Sequence, residues 1–397
     1  MYKFNISAPG RVFLCGERSE NVKKMCVAAS LNMRTKLAFT SLSPTAMSTN
    51  IIKFEFSTIA LHVKISLDTF YENFLDCKLT GNRLHEEIKE FIDLSSEEII
   101  GTYDPNNHEH QFALQTFLYL LIIIGNREKI RINSSFVVKL STELAIGEGL
   151  GSSTSFVVCL TACFLRWSLL QRGFIVYNFG EQELLKICDH AHLCERIIFG
   201  STFLIDTVVS VYGSIAAFQG NVMLHTCSPL PSMKILLVSS NIKQRTITQA
   251  VIDETKKMRS FVEPIMNSTN IMSSISIRVF NEIKKYMCKL KITDSRDLSH
   301  LIPLDSCKMI SKLIHMNQGL LCALGMSHPS LDFVCAIARK FSLAGKVAGS
   351  KGGFAFIFLL PNNTNNHISQ VSNELRRHNF HAVVTSLCGQ WSGVRVE

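Results

Sequence analysis

Residues 147–155 read GEGLGSSTS, and an apolar run from Phe156 to Leu165 follows them at once. Four of the five residues from Gly149 to Ser153 are Gly or Ser, so a tight loop is predicted to feed directly into a helix. Glycines let a backbone approach an anion without Cβ clashes, and the first turn of a helix offers N–H groups that lack an intrahelical partner, at the positive end of the dipole. Ser152 and Ser153 are placed to cap that helix, and a hydroxyl there can also bind Mg²⁺. The same composition suits a loop that only turns the chain, since a short Gly/Ser loop before a helix is a weak signal by itself.

Working outward, Val137 to Leu140 is predicted to be the strand that enters this loop, and Gln111 to Ile124 a buried helix before it. Upstream, Tyr2 to Ile6 alternates as a strand does and runs into SAPGR at 7–11, read as a turn, with Arg11 to Cys15 a second strand and Val27 to Phe39 a third. Residues 51–69 fit a hairpin, and residues 70–100 carry charges at helical spacing. His108 and His110 flank Glu109 in a polar loop, where solvation is a simpler expectation than metal binding. Downstream, a helix is predicted at 181–199 and β structure from Val208 to Gln219. CSPLPSM at 227–233 carries two prolines and marks a domain boundary, giving domains 1–229 and 230–397. Beyond it, Lys234 to Ser239 reads as a strand, 246–292, 305–324 and 330–342 as helical, and Phe354 to Leu360 as a strong strand before a last helix and strand.

The chain has 397 residues, 47% hydrophobic and 18% charged, enough for two domains with a large core and too apolar for disorder. Its formal net charge of +9 favours anionic small molecules, but the basic residues are scattered, so no nucleic-acid partner is expected. Thirteen cysteines without a CxxC pair suit buried, reduced thiols in the cytoplasm. The N-terminus lacks a signal-peptide run, and the apolar segments at 117–124 and 156–165 are short for a bilayer span, so no membrane association is expected.

Three separated pieces, SAPGRVFLCGE at 7–17, ELAIGEGLGSSTS at 143–155 and KVAGSKGGFAFIFLL at 346–360, together resemble the three signature motifs of the GHMP kinase superfamily. The tracts SLNMRT at 30–35, CERIIFG at 194–200 and LIHMNQGLLCALGMSHPSLD at 313–332 are similar to segments of its mevalonate kinase family. The resemblance runs from about residue 3 to 396. It implies an α+β, two-lobed GHMP kinase fold, with an N-terminal ribosomal-protein-S5-like domain and a C-terminal ferredoxin-like domain. It also implies ATP-dependent phosphorylation of the primary hydroxyl of mevalonate, with Mg²⁺, and a possible homodimer. By the same resemblance Asp206 is the catalytic aspartate, where the residues alone suggest a strand-end carboxylate. Arg11 stands where the family has a catalytic lysine. Ser153 and Glu195 match the metal ligands, and Gly147, Glu148, Gly149, Leu150, Gly151, Ser152, Ser153 and Thr154 form the ATP phosphate loop. Glu17, Arg18 and Thr248 match substrate-pocket positions, with Arg245 or Thr246 near a family arginine.

The departures from the family cluster at the site. Arg18 replaces a histidine, residues 201–205 read Ser-Thr-Phe-Leu-Ile where the family has Asn-Pro-Ser-Gly-Val, and Ser350, Lys351 and Phe354 replace small residues in the third motif. Three functions are compatible with this pattern: a mevalonate kinase with a divergent site, a catalytically weak homologue that binds nucleotide or a partner, and a GHMP kinase for another small alcohol.

Overall fold

The computed structural model describes residues 1–17, 24–41, 50–74, 77–94, 99–175, 177–201, 203–227, 230–240, 258–290, 299–349, 352–389 and 392–397. The chain opens with β1 (Lys3–Cys15), β2 (Met25–Ser41), β3 (Ile51–Phe56) and β4 (Leu61–Ser66), then α1 (Leu67–Phe74), α2 (Gly81–Leu94) and the short β5 (Ile100–Gly101). Next come α3 (His108–Glu128), β6 (Phe136–Thr142), α4 (Ser152–Gln171), α5 (Glu181–Ile198), α6 (Leu204–Tyr212), and the hairpin of β7 (Ile215–Gln219) and β8 (Val222–Cys227). The remainder holds β9 (Met233–Ser239), α7 (Arg259–Lys289), α8 (Leu304–Ala323), α9 (Pro329–Lys340), β10 (Ala344–Val347), β11 (Phe354–Phe358), α10 (Asn365–Arg377), β12 (His381–Leu387) and β13 (Arg395–Val396). This is an α+β arrangement.

The 17-residue β2 is the hub of the sheet. It pairs with β1 along most of its length, with β6 through Thr35–Ser41, with β7 through Met25–Ala29, and with β12 at Leu31. The path β10-β11-β9-β12 therefore continues through β2 into β6-β3-β4-β5. Apolar side chains from both stretches share one cluster, in which Val12, Leu14 and Leu31 meet Ile235, Phe280, Ile310 and Phe356.

β1 runs without interruption through residues 7–11, where a turn was expected, with a shift of register between Pro9 and Gly10. A bulge is where a strand accommodates proline. Gly10 suits the place because a Cβ there would stand 2.6 Å from the Leu150 carbonyl oxygen. The expected β structure from Val208 is also replaced: Leu204–Tyr212 is helical and ends at Gly213, whose φ is +66°. Its β-branched residues Ile205, Val208, Val209 and Val211 are all buried, so packing overrides their strand preference.

α4 is 20 residues long and, by length and composition, apolar enough to cross a membrane, which corrects the shorter span read from the sequence. It is instead a core helix, with 89% of its most apolar window buried inside the protein. Its neighbour α3 packs against it, and the stacked pair Phe54–Phe117 and the tilted pair Phe39–Trp167 lie between these helices and the sheet. The thirteen cysteines form no disulfide, and burial pushes the Cys159 thiol up to about 12.

Candidate active site

The three sequence motifs come together around the middle of β1. The Arg11 N–H donates to the Leu150 carbonyl at 2.8 Å, and the Phe13 N–H to the Ala348 carbonyl at 3.0 Å. The second and third motifs also touch each other. A Cβ on Gly349 would lie 2.1 Å from the Gly149 carbonyl oxygen, and one on Gly353 would lie 2.6 Å from the Glu148 carboxylate. Phe354, larger than its family counterpart, begins β11 rather than filling the loop. Ser350 and Lys351 lie outside the described residues.

In the loop itself Gly147, Gly149 and Gly151 have φ of +78°, +82° and +80°, conformations that side-chain-bearing residues rarely adopt. Arg11 faces both carbonyls that follow: Gly149 O accepts from Nη1 at 2.6 Å, and Leu150 O accepts from the Arg11 main chain. In a trans peptide the N–H points away from the preceding C=O. The N–H groups of Leu150 and Gly151 are thereby turned away from Arg11. Gly151 caps α4, and the first backbone bond there runs from Ser155 N–H to the Gly151 carbonyl at 3.0 Å. Among the described residues the N–H groups from Leu150 to Thr154 donate to no protein group. Such a row of free amides at a helix start attracts phosphate. Ser152 is half-buried and Ser153 exposed at the mouth of this loop.

Asp206 sits in the first turn of α6, not at a strand end. Arg11 grips it with two bonds, Nε to Oδ1 at 2.6 Å and Nη2 to Oδ2 at 2.7 Å. The guanidinium lies over the Phe13 ring, 4.5 Å from its centroid. Planar, two-point pairing of this kind is available to arginine and not to lysine. The arginine at position 11 therefore fixes the orientation of the carboxylate and, through its third arm, the loop.

Glu195, on α5, is buried nearby. Its oxygens accept from Thr154 Oγ1 at 2.5 Å and Thr207 Oγ1 at 2.7 Å. Burial pushes its carboxyl up to about 7, with those two hydroxyls working against the rise, the Asp206 charge adding to it and Arg11 opposing it. Thr154 neighbours Ser153 and Thr207 neighbours Asp206, so Glu195 ties the loop to the aspartate. The sequence places Thr154 in the phosphate loop without its bond to Glu195, and it does not single out Thr207, for which the available signal was that it adjoins Asp206. Among the described residues no group of three or more His, Cys, Asp or Glu is arranged to hold a metal. Glu195 and Ser153 still fit a Mg²⁺ ion in kind. The first is a buried carboxylate without a side-chain cation bound to it, the second an exposed hydroxyl, and Mg²⁺ is commonly held by one or two carboxylates plus substrate phosphates.

Glu17 is placed differently from a free pocket-lining acid. It is buried, with one oxygen paired to Lys346 Nζ and the other accepting from Asn317 Nδ2 at 3.0 Å. Arg18 and Thr248 lie outside the described residues, as do Arg245 and Thr246. His110 is buried rather than solvated: its Nδ1 accepts from the Asp104 N–H, and its Nε2 lies 2.8 Å from the Ile59 carbonyl.

No protein-family model matches the chain. It is 30% identical over 363 residues to the mevalonate kinase of Mus musculus, covering 89% of this chain and 85% of that one. The chain belongs to the mevalonate kinase family. Its fold is likewise that of solved family structures. The mevalonate kinase of Methanococcus jannaschii superposes with a TM-score of 0.65 at 17% identity, over 98% of this chain and 99% of that one. The L. major mevalonate kinase in complex with R-mevalonate gives 0.61 at 12% identity, over 98% and 97%. The fold is that of the GHMP kinases, and family membership implies a kinase with ATP as co-substrate.

Proposed function

We propose that this protein transfers the γ-phosphoryl group of ATP to the primary hydroxyl of mevalonate, giving 5-phosphomevalonate and ADP, an early step of isoprenoid synthesis. The observation that carries this reading is the Arg11–Asp206 pair set against a loop whose main-chain amides are free. Those amides, with the positive end of α4, suit the triphosphate. Asp206 accepts the proton of the attacking hydroxyl or orients it, the hydroxyl oxygen bonds to the γ-phosphorus, and the bridging oxygen leaves with ADP. Arg11 orients Asp206 through its two bonds and lends positive charge to the transferred group. Ser153 and Glu195 would hold Mg²⁺, which supplies charge neutralisation to the phosphates when bound. Glu17, Arg18 and Thr248 are assigned to the substrate side by family position alone.

The survival of Ser153, Glu195 and Asp206 together favours an active kinase over a binding homologue. A substrate panel of mevalonate, phosphomevalonate and homoserine tests the acceptor: mevalonate is expected to give the highest kcat/KM, and a preference for either of the others overturns the assignment. The lobes divide near residue 230, as S5-like and ferredoxin-like domains, with the site between them. The cytoplasm is the compartment that the many cysteines without a CxxC pair suggest. A homodimer is the assembly that the family resemblance suggests.

A further inference from the structure

Lys346 is a fully buried cation that the chemistry above does not use. Its Nζ donates to the Phe13 carbonyl at 2.9 Å, to the Val347 carbonyl at 2.9 Å and to Glu17, so all its donors are engaged. Asn317 on α8 completes the Glu17 carboxylate. Phe13 is thus held on both sides of its backbone by the third motif, its N–H by Ala348 and its carbonyl by Lys346. The ring of the same residue lies beneath the Arg11 guanidinium. An unbroken series of contacts therefore runs from Lys346 through Phe13 to Arg11 and Asp206.

We infer that Lys346 is a positioning residue for phosphoryl transfer: by fixing the Phe13 peptide it sets the plane on which Arg11 presents its fork to Asp206, and Glu17 with Asn317 serves to hold the lysine charge in the interior. This rests on the kinase reading above. A buried ion pair is often replaceable without loss of stability, whereas one stranded partner is costly. Lys346→Met alone would leave the Glu17 carboxylate unpaired in the core, whereas Glu17→Gln keeps an amide oxygen as acceptor beside the Phe13 and Val347 carbonyls that already hold the Lys346 Nζ, so the informative comparison is Glu17→Gln against Glu17→Gln/Lys346→Met.

Relative to Glu17→Gln, the double variant is expected to lose about tenfold or more in kcat, with the KM values for ATP and mevalonate within about twofold. The NMR resonance of the Arg11 Nε–H, held by Asp206, is expected to shift and to exchange faster with solvent in the double variant. An unmoved resonance overturns the inference, as does an unchanged kcat. A wild-type protein that fails to phosphorylate mevalonate overturns the functional reading instead, and the resonance still decides the part played by Lys346.

Discussion

At the residue scale the site depends on how two carboxylates are held. Arg11→Lys retains a positive charge but cannot make two bonds to Asp206 and one to Gly149 together. It is expected to lower kcat/KM by roughly 10- to 100-fold, as loss of one or two charge-assisted bonds in the transition state would. Steady-state kinetics with both substrates varied check this, and an unchanged kcat/KM would show that charge alone is needed. Glu195 gives a pH prediction. Its folded-state value of about 7 lies above its usual 4.5, so in metal-free protein it contributes stability that is complete below 4.5 and is lost as pH rises through 7. The difference in unfolding free energy between wild type and Glu195→Gln should change by on the order of 3 kcal/mol across that window. Urea titrations at a series of pH values measure it, and parallel curves would contradict it.

At the element scale the close approach of the second and third motifs is what can be tested. Gly349→Ala would drive a methyl into the Gly149 carbonyl oxygen, so it is expected to displace the loop and to raise the KM for ATP by about tenfold or more. Gly147→Ala meets no atom within 4 Å and has only its φ of +78° to resist it, costing about 1–2 kcal/mol of stability with a smaller effect on ATP. Kinetics and thermal melts on the pair separate steric from conformational demand; equal effects would place the loop elsewhere. The same elements show what was legible in the sequence. The loop before α4 was readable because Gly, Ser and an apolar run are local signals. Residues 7–11 were misread because the pairing that keeps Pro9 and Gly10 extended comes from β2, and Val208 to Tyr212 because its helix is imposed by burial against elements distant in sequence. The family resemblance supplied Asp206 and Glu195, but the lock on Glu17 was invisible, since Lys346 and Asn317 follow it by about three hundred residues.

At the scale of the whole molecule, β2 joins the two sheet stretches, and the last residues of the chain complete them. Buried Arg34, within β2, donates to Ser7 and to the carbonyls of Ser392 and Gly393, and β13 pairs with β1 beside it. Removal of residues 392–397 strips these acceptors from a buried guanidinium and is expected to destabilise the protein by about 3 kcal/mol or more. A thermal melt of the truncated chain checks this, and a wild-type transition would show that the terminus is dispensable. All of these features serve the meeting of Asp206, Arg11 and the amide-lined loop. The most direct measurement is ADP release with ATP, Mg²⁺ and mevalonate, wild type against Asp206→Asn. Mevalonate-dependent release that falls by about 10²- to 10⁴-fold in the variant is the predicted result, and equal turnover by the two proteins would contradict it.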